Sequence, residues 1–189
     1  MFCKNRLLPV IACLFFILAI CISLSFAEAP PQALIELANG KLAAYGRDPV
    51  IVAAVKAENA KNKTLEAIQA RDKEWIASQK VQPYMQELMN SPTGRHLSNI
   101  YYSTQYFMEI FVMDNQGANV AMTNRTSDYW QGDEAKFKKS FNGGKGGIFI
   151  DEVEFDLSCM AFLIQISVPV MDGDKAIGAI TFGIDADRI

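Results

Sequence analysis

The hydrophobic period of this 189-residue chain changes near Gln105, and that change limits the class of fold open to it. From Pro30 to about Gln105, apolar residues recur at helical intervals in a background rich in Ala, Lys and Glu. After Gln105 they recur every second residue. "YFMEIFVMD" (106–114) reads as a strand, "NQG" as a turn and "NVAMT" (119–123) as its hairpin partner. Three further strands are expected over 148–155, 159–170 and 176–184, the last two joined by the turn "MDGDK". A short helix is expected across 133–140. Helices followed by two strands, a helical connection and three strands predict an α+β fold. It would be a five-stranded, mostly antiparallel sheet with the long helical N-terminal region packed on one face.

Local signals support the helical part. Asp48 precedes Pro49 as an N-cap residue precedes a favoured first helical position, and Thr64 is a second N-cap candidate. Gly46 ends the segment that begins at Ala33, and Pro92 opens a helix running toward Tyr102. Leu65, Ile68, Asp72, Trp75 and Ile76 form an apolar stripe containing one acid, which either pairs with something or marks the stripe's edge.

Alternation separates the two faces of the sheet. Phe162, Ile164, Ile166, Val168 and Val170 are apolar throughout and should pack on the N-terminal helices. The opposite face presents Gln165 and Ser167, while Ile177, Ala179, Thr181 and Gly183 leave room above the neighbouring strand. The connection between Thr123 and Ile148 is long enough to roof this second face. It contains "TSDYWQGDEAKF", in which Tyr129 and Trp130 stand among polar residues. They can close the roof as core residues. Equally, they can wall a small-molecule pocket oriented by Asp128, Gln131, Asp133 and Glu134.

At the N-terminus, Lys4 and Arg6 precede "LLPVIACLFFILAICISL" and then Ser25-Phe26-Ala27, the layout of a secretory signal cut after Ala27. An uncleaved anchor is the alternative, because the run also reaches the lower limit for crossing a bilayer. Cleavage removes Cys3, Cys13 and Cys21, leaving Cys159 and no internal disulfide. Residues 28–189 are then one domain held by its core, mainly helical over 28–105 and sheet-forming over 106–189. The net charge of −3 becomes more negative once Lys4 and Arg6 are gone, which argues against a nucleic-acid partner.

The segments "EIFVMDNQGANVAMTN", "TSDYWQGDE", "FDLS" and "ISVPVMDGDKAIGAITFGID", with "DPVIVAAVKAENA" and "ARDKEW" before them, resemble a Cache-type (PDC) extracellular sensor domain of the single-module type. That resemblance implies sensing: a small metabolite (amine, amino acid or carboxylate) held above the sheet, with no cofactor and no metal. In amino-acid-binding members an Arg-x-Trp arrangement grips the carboxylate and an aspartate after the third strand holds the amino group. Trp130 and Asp156 match the Trp and the aspartate, whereas Asp128 stands where the arginine would be. The departure fits a cationic ligand met by Asp128, Asp133 or Asp156 beside an aromatic wall. Arg125 remains nearby as a possible carboxylate partner. The ligand-binding set is therefore Arg125, Asp128, Tyr129, Trp130, Gln131, Asp133, Asp156, Gln165 and Ser167. Family receptors continue into a second membrane helix and a signalling module. This chain is expected instead to be a periplasmic or secreted sensor, or one anchored with its domain outside the cytoplasm. It would report to a separate membrane receptor or kinase, with homodimerisation possible through the N-terminal helices.

Enzyme chemistry finds little purchase. His96 is the single histidine, in "TGRHLSN", and a dyad with Cys159 would require a buried strand thiol to meet a distant helix. Asp151/Glu152 and Asp128/Asp133 read as solvated acids. "DGDK" is too short for a calcium loop, "GGKGG" lacks the context of a phosphate loop, and no CxxCH is present for haem. The alternative to a sensor is a protein-interaction or structural module with a degenerate pocket.

Overall fold

A computed structural model describes residues 30–156 and 161–189. The expected signal segment and Cys159 lie outside the described residues. The helical half begins with α1 (Gln32–Leu37), which runs through a π-helical turn, Ala38–Leu42, into α2 (Ala43–Tyr45). It continues with α3 (Pro49–Asn59), α4 (Leu65–Ala77), α5 (Pro83–Asn90) and α6 (Pro92–Tyr101). The sheet half contains β1 (Phe107–Met113), β2 (Asn119–Met122), α7 (Ala135–Phe141), β3 (Phe149–Asp156), β4 (Ala161–Asp172) and β5 (Lys175–Asp185).

The helix starts follow from their caps. Asp48 Oδ1 accepts the Val50 and Ile51 N–H groups, Thr64 Oγ1 that of Ala67, and Ser91 Oγ that of Gly94. Helix α5 was not anticipated, although Pro83 stands at its first position. The strands run antiparallel in the order β2-β1-β5-β4-β3, an α+β arrangement of PAS-like kind. In the β1–β2 turn, Asp114 Oδ1 accepts the N–H groups of Gln116 and Ala118. Gly117 adopts a positive φ of 87° there, a conformation that favours glycine.

The helices divide between the two faces. Leu34, Leu42, Ile51, Val55, Leu97 and Ile100 pack with Ile110, Val112, Ile164, Ile166, Val168, Ile180 and Phe182 on one side. On the other, Ile68 and Trp75 of α4 and Met85 of α5 join Phe111, Met113, Met122, Tyr129, Phe137 and Ala179. The reason lies in β1, which from Ile110 to Met113 is apolar on both faces, so each side needs a cover. Helix α7 covers the remaining part of the second face, over β4, β5 and β3. Phe162 departs from the packing expected of it. It lies near the start of β4, is 48% exposed, and meets Phe155 of β3 edge-on with ring centroids 5.1 Å apart.

Candidate functional site

The roof of the second face is pinned to α4 and to the β1–β2 turn. Asp72, the acid in the apolar stripe, directs Oδ1 at two main-chain donors, the N–H groups of Tyr129 (2.8 Å) and Trp130 (3.0 Å). Buried Trp75 donates its Nε1–H to Thr126 O. Arg125 donates from Nη2 to the Trp75 and Ser78 carbonyls, satisfying the C-terminal end of α4. Trp130 donates Nε1–H to Gln116 O at 2.8 Å, and its backbone bridges to Ala118. Tyr129 is buried against Trp75, and its hydroxyl receives a hydrogen bond from Lys63.

Lys63 also pairs with Glu58 (3.0 Å) and with the buried Asp114 (3.1 Å). Burial lowers the affinity of its amine for a proton, but the Tyr129 hydrogen bond and the Asp114 charge outweigh that effect and hold the ammonium above its ordinary pKa. Glu58 shows the complementary balance: burial raises its pKa, yet Lys61 and Lys63 bring it below the ordinary value.

The other expected residues of the connection are engaged within the roof. The Asp128 main-chain oxygen accepts from Thr126 Oγ1, Asn119 Nδ2 and Gln131 Nε2, and its carboxylate accepts from Ser127 and Gln131. Gln131 is buried, and Asp133 is exposed with its carbonyl bonded by Lys138. Ser167 and Thr181 are fully buried and share a 2.7 Å hydroxyl hydrogen bond. Asp156 ends β3, and its side chain lies outside the described residues.

A cavity of about 550 Å³ opens beyond this roof, between α7 and the β3–β4 edge of the sheet. Glu134 and Lys136 line it from the start of α7, Asp151, Glu152, Glu154 and Phe155 from β3, and Leu163 and Gln165 from β4. Among the expected site residues, the cavity lining includes Gln165. Four acidic residues and one lysine thus line it.

Lys136 has 10% of its side chain exposed, and Nζ lies 2.8 Å from Glu134 Oε2 and 3.0 Å from Gln165 Oε1. It also sits 5.5 Å from the centroid of the Phe111 ring. Gln165 in turn donates Nε2–H to Glu109 Oε1 at 2.8 Å. Glu109 is paired with Gly183 across the β1–β5 ladder, and a Cβ on that glycine would come within 2.5 Å of Glu109 Cγ. Burial raises the Glu134 pKa above the ordinary carboxylate value against the pull of Lys136, and the charges of Asp128 and Asp133 add to the rise.

Asp151 and Glu152, expected as solvated acids, line the cavity with Glu152 exposed, and Lys136 is not among the residues that the sequence singles out. The available signal for Lys136 was its place in a short helix opposite a strand face carrying Gln165. Away from the cavity, His96 pairs through Nε2 with Asp48 Oδ2 at 2.9 Å. Among the described residues, no group of three or more His, Cys, Asp and Glu side chains is placed to hold a metal ion. Nor is any helix among them long and apolar enough to cross a membrane.

No family model matches the chain, and no curated protein does so either. Among solved structures it is similar to the sensory domain of the Campylobacter jejuni chemoreceptor Tlp3, at 16% identity and a TM-score of 0.41, over 73% of this chain and 57% of that one. A second is the ligand-binding domain of the Pseudomonas aeruginosa PAO1 amino acid chemoreceptor PctC in complex with GABA. There the identity is 10% and the TM-score 0.37, over 81% of this chain and 62% of that one. A third is the sensor domain of the V. cholerae histidine kinase DctB, at 17% identity and a TM-score of 0.39, over 82% of this chain and 57% of that one. These neighbours are sensory domains. The chain spans less than two thirds of the length of each, and the likeness is confined to the fold.

Proposed function

We propose that residues 28–189 form an extracytoplasmic sensory domain that binds a small cationic metabolite without turning it over. In this reading its occupancy is passed to a separate receptor or kinase in the membrane. The observation that carries the reading is the cavity itself. Its volume of about 550 Å³ suits a small metabolite, and it combines the apolar Leu163 with convergent polar groups. The excess of carboxylates over ammonium groups favours an amine over a carboxylate. Tyr129 and Trp130 serve as the roof's anchors, and Gln165 and Glu134 take the polar contacts with ligand. In the same reading the expected N-terminal signal exports the domain, and the N-terminal helices form a homodimer interface that light scattering tests.

A thermal-shift screen of the protein against amines, amino acids and carboxylates tests the reading. A ligand at a hundredfold over its Kd stabilises by about 2.7 kcal/mol. Absence of a shift with every class would reject small-molecule sensing. It would favour an interaction module instead, a role consistent with the half-exposed Val153, Phe155 and Phe162 at the β3 edge.

A further inference from the structure

We infer that the Lys136 ammonium is an internal stand-in for the ligand, and that the group it mimics is one end of a diammonium compound. The inference rests on the reading of this cavity as the ligand site. The surroundings of Nζ are those an alkylammonium requires: a carboxylate oxygen at 2.8 Å, an amide oxygen at 3.0 Å and an aromatic ring 5.5 Å away.

The subsite is built for a cation and is not merely occupied by one. Gln165 has an acceptor end and a donor end, and the Glu109 carboxylate accepts only from the donor. The glutamine oxygen is thereby directed at Lys136. Glu109 reaches this position because Gly183 beneath it has no side chain.

A tethered lysine competes with any free amine at the effective concentration of an attached group, on the order of millimolar or above. A monoamine gains one ammonium site by displacing it and leaves the acids on β3 unanswered. A diamine displaces Lys136 with one end and meets Asp151 or Glu154 with the other, so its second charge offsets the competition. Lys136 therefore works as an autoinhibitory contact that selects dications over monocations. Its release also frees the first turn of α7, which gives occupancy a structural consequence.

The test is calorimetric titration of the wild-type protein, Lys136→Met and Glu134→Gln with 1,4-diaminobutane, butylamine and butyrate. Wild type should prefer the diamine. Lys136→Met, with the competing charge removed and the flexible thioether easily displaced, should bind butylamine at least tenfold more tightly than wild type does. Glu134→Gln should lose at least tenfold in diamine affinity, and it answers the question even if Lys136→Met does not fold. Unchanged butylamine affinity in folded Lys136→Met, or unchanged diamine affinity in Glu134→Gln, would overturn the inference. Butyrate binding that disappears in Lys136→Met would make the lysine a carboxylate anchor; it would overturn the stand-in role while leaving the cavity as a ligand site. If none of the compounds binds any of the three proteins and the wider screen is also silent, both readings fall.

Discussion

The Asp72 carboxylate accepts the backbone N–H of Tyr129 at 2.8 Å, fixing the roof of the second sheet face to α4 across 57 positions of sequence. The same oxygen takes the Trp130 N–H, so one acid satisfies two adjacent donors. Asp72→Ala is expected to destabilise the fold by about 2 kcal/mol, because it leaves partly buried N–H groups unpaired. Asp72→Asn, which keeps an acceptor oxygen, should cost clearly less. Urea denaturation of the two variants checks the order.

Lys63 joins Glu58, Asp114 and Tyr129, and of the two acids Asp114 is the buried one. Lys63→Met should therefore cost about 3 kcal/mol by stranding that carboxylate. Because the folded-state pKa of Lys63 is raised, its contribution is fully present below the unfolded lysine value and is lost only as pH rises through the folded one. The stability difference between wild type and Lys63→Met should accordingly stay level between about pH 6 and pH 9. A marked decline across that window in denaturation experiments would contradict it.

Acidification should weaken amine binding through Glu134. Its folded-state pKa lies above the ordinary carboxylate value, so any stability linked to its protonation is present at low pH and lost as pH rises through the folded value. For a cationic ligand the sign is reversed, since the protonated acid no longer attracts it. Diamine affinity should begin to fall at a higher pH than an unperturbed glutamate would give. In Glu134→Gln that early decline should be missing from titrations across the same pH series.

Gly183→Ala places a methyl group against Glu109. The side chain must move, and Gln165 loses the partner that orients it. The variant should be destabilised by about 1–3 kcal/mol, as expected for overpacking, and should bind 1,4-diaminobutane less tightly. Thermal melts with and without the diamine separate the two effects.

Trp130→Phe removes the indole hydrogen bond to Gln116 while keeping an aromatic ring. A loss of about 1 kcal/mol in stability with unchanged ligand affinity would assign this residue to the roof. A large loss of affinity in the folded variant would place it in the binding site.

The caps at Asp48, Thr64 and Ser91 and the change to a two-residue period were legible because they depend on neighbours a few positions apart. The alternation of β4 likewise separated Gln165 from its apolar neighbours. What the sequence left hidden depends on contacts between distant segments. Lys136 meets Gln165 across 29 positions, and Trp130 meets Gln116 across 14. Spacing in the chain does not show which way a lysine on a short helix will turn, or that a Tyr-Trp pair is held chiefly by its main chain. The acid within the α4 stripe was visible, but its partner became apparent only once the connection was placed over it.

The position of β3 at the margin of the sheet gives its acids a further consequence. An edge strand offers unpaired backbone groups to any other extended chain, and charged side chains discourage that pairing. Asp151, Glu152 and Glu154 thus protect solubility as well as shaping the cavity wall. Neutral substitutions chosen to probe ligand binding would also remove part of the protection against aggregation, so such variants are best compared at low protein concentration.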